Sequence, residues 1–370
     1  MKLPSTIINK LKQRQQDNAY RNLVDFSGKT SNNKLWVDFF SNDYLGLARV
    51  EFDGNYTQGS TGSRLISGNL SFTEQLEQKL SNFYNQQAGL IFNSGFDANL
   101  GIFSSIPQRG DTIIYDELCH ASIRDGIRLS FANGFAFKHN DLTHLKQKLQ
   151  QAKGNIYVAV ESIYSMDGDE ADLKSISDLC QQYNAFLIVD EAHSGGVYGE
   201  NGKGLVTQLS LDDKVLIKLI TFGKAYGSHG AIALTKQEIR QYLINFSRPF
   251  IYTTALPKHS LKRIEQAVEL STLMDNVRTN LFDLITYFKL QANAHQINLI
   301  ESNSPIQSIL ISGNNNAKRL EQHLQKNGLA VKAILSPTVP KGKERIRICL
   351  HAHNMKNEVD QLMSLLKSIV

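Results

Sequence analysis

The chain has 370 residues, 41% apolar and 20% charged, enough to bury a large core and to form two domains. Its formal net charge of +5 comes from basic residues dispersed among acidic ones, which argues against nucleic acid as a partner. No window has the length and apolarity of a membrane span, and Met1-Lys-Leu-Pro-Ser-Thr-Ile-Ile lacks the apolar core and cleavage site of a signal peptide, so the expected compartment is the cytoplasm, with no membrane partner. Cys119, Cys180 and Cys349 are too few and too scattered for a disulfide framework or a thiolate metal site and are expected to be reduced and structural.

In chain order, residues 4–20 read as a helix and Leu35-Trp-Val-Asp-Phe-Phe40 as a strand leading into Ser41-Asn-Asp-Tyr-Leu-Gly-Leu47. A glycine-rich loop at 59–68 precedes a helix with apolar Leu76, Leu80 and Phe83 on one face, and strand–helix pairs follow around 88–104, 111–129, 134–151, 155–183 and 185–190. Beyond Pro257 one long helical stretch runs to about Leu290, followed by strands near 307–312 and 345–350 and a final helix from Met355. Continuous alternation of helix and strand without low-complexity linkers predicts an α/β protein with a mainly parallel sheet. The expected division is an amino-terminal helix and strand segment at 1–40, a large domain at 41–256 and a small α+β domain at 257–370.

Two predicted strands carry the chemistry. Ala185-Phe-Leu-Ile-Val breaks into Asp190-Glu-Ala-His193, and Val215-Leu-Ile-Lys-Leu-Ile-Thr-Phe breaks into Gly223-Lys224. Buried strands ending this way place a carboxylate and an amine at the carboxyl edge of a sheet, where α/β proteins bind ligands. Alone, each residue reads as a cap, a turn or a satisfied polar group. Together they suit pyridoxal 5'-phosphate (PLP), which needs a lysine for its Schiff base and a carboxylate to keep the pyridine nitrogen protonated. His193 then serves either the cofactor's phenolic oxygen or the orientation of Asp190. Asn93-Ser-Gly95-Phe96-Asp-Ala-Asn99 opens a helix after an apolar run, as a phosphate site does. Gly59-Ser-Thr-Gly62-Ser-Arg64 is either a second phosphate loop or simply a tight loop. His120 and Ser165 each follow a strand, Thr112-Ile-Ile-Tyr115 and Asn155-Ile-Tyr-Val-Ala-Val160, at the same predicted edge. Lys341-Gly-Lys-Glu-Arg345-Ile-Arg347, the densest basic cluster, reads as a solvated hairpin entering a strand or as a site for an anionic substrate.

Ser41-Asn-Asp-Tyr-Leu-Gly-Leu47, Asn93-Ser-Gly-Phe96, His120-Ala-Ser122, Ser165-Met-Asp-Gly168, Val189-Asp-Glu-Ala-His193, Thr221-Phe-Gly-Lys224 and Pro337-Thr-Val-Pro340, in this order, resemble the α-oxoamine synthases of PLP fold type I over almost the whole chain. The resemblance implies an aspartate-aminotransferase-like fold, PLP as cofactor, no metal, and a homodimer with its sites at the subunit interface. It assigns the Schiff base to Lys224, the pyridine nitrogen to Asp190, ring stacking to His120, and the phenolic oxygen to His193 and Ser165. Phosphate falls to the Gly95 and Phe96 amides and Thr221, with Thr253 or Thr254 reaching in from a second subunit. Arg347 matches the amino-acid carboxylate clamp, and Arg21 and Asn42 line the substrate side.

Within the family, Ser41-Asn-Asp-Tyr44, Ser165-Met-Asp-Gly-Asp169, Thr221-Phe-Gly-Lys224 and Ile251-Tyr-Thr-Thr254 together most resemble the branch that condenses L-alanine with a pimeloyl thioester, on CoA or acyl carrier protein, in biotin biosynthesis. Cys119-His-Ala-Ser-Ile-Arg-Asp-Gly126 and Ser247-Arg-Pro249 are also similar to the branch using glycine and acetyl-CoA, the 2-amino-3-oxobutyrate CoA ligases. A noncatalytic PLP-binding regulator is the alternative of a different class. Two segments depart from the family pattern: Ala48–Gln58 is short, and Ala-Tyr-Gly227-Ser-His229-Gly230 is poorer in glycine.

Overall fold

The apolar runs become strands buried along most of their length, as strands covered on both faces are. The computed structural model describes residues 3–26, 28, 35–52, 54, 56 and 59–367. Its elements begin with α1 (Ser5–Gln16), β1 (Val37–Asp38), α2 (Ser71–Phe83), β2 (Ala88–Phe92), α3 (Gly95–Ser105), β3 (Thr112–Asp116), α4 (Ala121–Leu129), β4 (Asn133–Phe137), α5 (Leu142–Gln151), β5 (Ile156–Glu161), α6 (Leu173–Gln182) and β6 (Phe186–Asp190). They continue with α7 (Leu205–Gln208), β7 (Val215–Thr221), β8 (Ala231–Thr235), α8 (Gln237–Phe246), α9 (Arg248–Ile251), α10 (Lys258–Ser271), α11 (Asp275–Ala294), β9 (Ile306–Leu310), α12 (Asn314–Lys326), β10 (Leu329–Ala330), β11 (Lys332–Ile334), β12 (Arg345–Cys349) and α13 (Lys356–Lys367).

Contacts divide the chain into two compact units. Leu45–Ser165 and Glu170–Arg278 form the larger; the described residues up to Tyr44, Met166–Asp169 and those from Thr279 onward form the smaller. The larger holds a seven-stranded sheet of order β2-β8-β7-β6-β5-β3-β4, in which β8 alone runs against the rest. Val158, Val189, Leu219 and Ile232 are at most 2% exposed, and burying each side chain of this kind contributes about 1.5–3 kcal/mol. Side-chain caps start the crossover helices: Ser94 accepts the Asp97 N–H, Asp141 that of His144 and Asp172 that of Ser175.

In the smaller unit, β11, β12 and β9 form an antiparallel sheet, and β1 pairs with β10. Met166–Asp169 is built into this unit. The Ser308 and Ser302 hydroxyls donate to the Met166 and Gly168 carbonyls, both at 2.8 Å, and Arg345 pairs with Asp167. Gly168 has φ +78°, and a Cβ there would lie 2.2 Å from the Ile306 carbonyl oxygen, so only glycine fits.

Two expected elements differ. The strand read over Leu35–Phe40 pairs as a ladder only at Val37–Asp38, because its partner β10 is two residues long. The single helix read beyond Pro257 is two, α10 and α11. At the break, the Ser271 and Thr272 hydroxyls donate to the carbonyls of Val268 and Glu269, Leu273 and Met274 make tighter three-residue turns, and the Arg278 guanidinium takes the Ser271 carbonyl. No helix among the described residues is long and apolar enough to cross a membrane. None of the three cysteines forms a disulfide, and all are buried.

Candidate active site

The strands β3, β5, β6 and β7 are parallel neighbours, so their carboxyl ends share one edge of the sheet. Asp190 ends β6 opposite Glu161 of β5 and Leu219 of β7. It is 6% exposed. Its Oδ2 accepts from Asn99 Nδ2 at 2.7 Å and its Oδ1 from the Ala192 N–H at 2.9 Å. Three residues on, His193 brings Nε2 to 2.7 Å from Lys224 Nζ, beyond the end of β7. The carboxylate, imidazole and amine expected from the two strand ends thus belong to one edge.

His120 precedes α4 and faces the same group. Its Nδ1 accepts from the Ser122 N–H at 3.2 Å and lies 2.8 Å from Ser122 Oγ, while its own N–H donates to Glu161 Oε1 at 2.6 Å. Burial lowers the His120 pKa, helped by Lys224 and Arg124 and opposed by Asp190. Burial also pushes Glu161 up to about 8, reinforced by the Asp190 charge and countered by Lys224. Phe96 stands edge-on to the His120 ring with centroids 6.4 Å apart.

The start of α3 and the end of β7 lie side by side: a Cβ on Gly95 would meet Thr221 Cβ and Oγ1 at 3.7 Å. Gly95 and Phe96 occupy the first helical positions, whose N–H groups have no acceptor within the helix. Such an end attracts anions. Asn93, just before it, donates to Thr253 Oγ1 at 3.0 Å and to the Thr254 carbonyl at 2.9 Å, which ties that segment to the same turn within one chain. Ser165 is half-buried on the segment following β5.

Arg64, from the other glycine-rich stretch, is engaged by side chains of the protein. It pairs with Glu77, which also receives Arg240 and the Ile91 N–H, and lies over the Phe250 ring. Loop 225–230 closes through the bonds Gly227 N–H to Lys224 carbonyl and Ser228 N–H to Phe222 carbonyl, both 2.8 Å. Of the short 48–58 segment, residues 53, 55, 57 and 58 lie outside the described residues; Arg263 holds the Leu47 and Val50 carbonyls at 2.8 and 2.7 Å.

In the smaller unit, Arg347 and Asn42 come together, with Arg347 donating to Asn42 Oδ1 at 2.8 Å. The Arg347 Nε is buried and has no hydrogen-bond partner among the described residues. Tyr44 donates to the same Asn42 oxygen at 3.2 Å. Arg21 is placed on Thr338 Oγ1, 3.0 Å away. Three residues with no role assigned from the sequence join the site: Asn99, Ser122 and Glu161. Glu161 obeys the same strand-end signal that singled out Asp190; Asn99 and Ser122 lie within the quoted motifs but carry no signal of their own.

The family model for class I and II aminotransferases matches residues 34–366. An 8-amino-7-oxononanoate synthase of Emericella nidulans is 42% identical over 88% of this chain and 87% of its own length. One from Lysinibacillus sphaericus is 34% identical over 91% and 90%. Among solved structures, the 8-amino-7-oxononanoate synthase of Francisella tularensis superposes with a TM-score of 0.78 at 32% identity, covering 90% of this chain and 97% of that one. A serine palmitoyltransferase from S. paucimobilis with a bound PLP–myriocin aldimine shares the fold, with a TM-score of 0.91 at 24% identity over 100% of this chain and 98% of that one. The resemblance read from the motifs and the fold type I architecture are borne out, and the chain belongs to the class I and II aminotransferase family, in its α-oxoamine synthase branch.

Proposed function

We propose that the chain is a PLP-dependent acyltransferase that condenses L-alanine with a pimeloyl thioester, on CoA or acyl carrier protein, to give 8-amino-7-oxononanoate, carbon dioxide and free thiol in biotin biosynthesis. The observation that carries the reading is the placement of Asp190 and Lys224 at the ends of adjacent parallel strands, with His193 Nε2 2.7 Å from Lys224 Nζ. The 42% identity to a synthase of this activity supports it.

The donor set fits PLP. A buried carboxylate, an amine, an imidazole and a helix start beside a threonine hydroxyl match its pyridine nitrogen, aldehyde, ring and phosphate. When bound, PLP supplies an electron sink for the negative charge left when the amino acid loses its α-proton. Asp190 would keep the pyridine nitrogen protonated, and His120 would lie against the ring. His193 and Ser165 would serve the phenolic oxygen. The Gly95 and Phe96 amides and Thr221 would hold the phosphate, with Thr253 or Thr254 of a second subunit, so that the proposed working form is a homodimer; its proposed compartment is the cytoplasm. Arg347 presents a planar fork suited to the alanine carboxylate, beside Asn42, with Arg21 on the substrate side. Lys224 Nζ takes the α-proton.

The experiment is thiol release by purified PLP-loaded protein, offering alanine or glycine with pimeloyl or acetyl thioesters and identifying products by mass. The reading expects turnover with alanine and pimeloyl thioester. A preference for glycine and acetyl-CoA, or PLP binding without turnover, overturns it.

A further inference from the structure

Asn99 is 2% exposed, one turn inside α3. Its amide nitrogen makes two bonds, to Asp190 Oδ2 at 2.7 Å and to Ser122 Oγ at 3.1 Å. Ser122 Oγ in turn lies 2.8 Å from His120 Nδ1. The direction of this chain is fixed. The Ser122 backbone N–H also points at Nδ1, so Nδ1 is an acceptor and the neutral ring carries its proton on Nε2. Ser122 O–H therefore donates to His120, and Asn99 donates to Ser122. Helix packing maintains the arrangement: α4 presents Gly126 to α3 so closely that a Cβ there would lie 2.9 Å from Phe103 Cβ and 3.0 Å from the Asn99 carbonyl oxygen. Ser122 sits one turn before that contact.

We propose that Asn99 is a positioning residue that fixes the Asp190 carboxylate directly and the His120 imidazole through Ser122, holding the two groups in one mutual geometry. The inference rests on the PLP reading above, in which Asp190 meets the pyridine nitrogen and His120 faces the ring. Asn99 bonds to Asp190 and Ser122 and would act through the groups that meet the cofactor. An amide suits the position because its two N–H groups can serve two acceptors at once, and a hydrogen bond to a charged acceptor is stronger than one between neutral groups. The charged and titratable groups around His120 and Asp190, namely Lys224, Glu161, Arg124 and Asp125, are unaltered by substitution at Asn99.

The test compares wild type, Asn99→Ala and Ser122→Ala in two readouts: PLP affinity, by titrating apo protein, and the pH midpoint of the visible absorbance band of the loaded protein. Asn99→Ala is expected to weaken PLP binding about tenfold or more and to move the midpoint, because Asp190 loses a donor. Ser122→Ala is expected to weaken binding less, and the double variant to fall short of the sum, as members of one chain do. A purely structural asparagine would leave the midpoint in place, so Asn99→Ala with wild-type affinity and midpoint overturns the proposal. If Asn99→Ala does not fold, Ser122→Ala decides alone: a weakened affinity supports the chain, and wild-type values overturn it. Wild-type protein that takes up no PLP would instead overturn the function reading itself, and the two failures are thereby separated.

Discussion

Lys218 and Lys224 stand six residues apart, one inside β7 and one just past it, and they have opposite fates. Lys218 is fully buried, and its ammonium donates to the Tyr84 carbonyl and Thr207 Oγ1, each at 2.9 Å, and to Asp212 Oδ1 at 2.7 Å. All three donors are matched by the protein, so nothing is left for a ligand. Lys224 lies at the carboxyl edge, half-buried, with an imidazole at 2.7 Å that can accept or return a proton. Consecutive carboxylates repeat the contrast. Glu191 accepts from the Ser194 hydroxyl and the Val206 N–H in the interior, whereas Asp190 sits among Asn99, His120 and Lys224. In each pair one charged group is tied into the interior, and the other stands at the sheet edge where the cofactor is proposed to bind.

The largest expected effect breaks the structural half of this pair. Lys218→Met strips Asp212 of its cation and Thr207 and the Tyr84 carbonyl of the ammonium donor, and should cost about 3–5 kcal/mol in denaturant unfolding. Lys224→Ala should change stability by less than about 1 kcal/mol while abolishing turnover. Equal destabilisation by both would erase the distinction. The smaller unit offers a second such pair on β12, where Arg345 is held by Asp167 and Arg347 keeps a buried Nε without a hydrogen-bond partner among the described residues. Arg347→Ala should raise the alanine KM about 10- to 100-fold. Unchanged kinetics would remove the clamp role.

The smallest effect concerns Glu161. Its pKa is raised to about 8 in the folded protein. Between the ordinary carboxyl range and that value the folded state holds a proton the unfolded state has released, so stability falls as pH rises across this window. Glu161→Gln removes the loss, and the apo variant should gain a few degrees of Tm relative to wild type at pH 8, and less at pH 5. A constant difference across the range would show that Glu161 does not titrate there.

The sequence made legible what depends on local pattern. Asp190 and Lys224 stand out because apolar runs stop at them, and the start of α3 because glycine follows a strand. Asn99, Ser122 and the Arg345–Asp167 pair depend on partners tens to hundreds of residues away, which periodicity does not encode. The break between α10 and α11 was hidden for a related reason. Ser271 and Thr272 are tolerable helix residues, and the helix ends through their bonds back to carbonyls, with the Met274 N–H and the Arg278 guanidinium both on the carbonyl of Ser271. The pairing of Arg64 with Glu77, thirteen residues on, was likewise outside what the loop's own sequence could show.

The most direct test of the central claim asks which lysine the cofactor marks. Borohydride reduction of the PLP-loaded protein, followed by digestion and mass mapping, is expected to place the phosphopyridoxyl group on Lys224 alone. A mark on Lys218, or no covalent mark at all, would contradict the account.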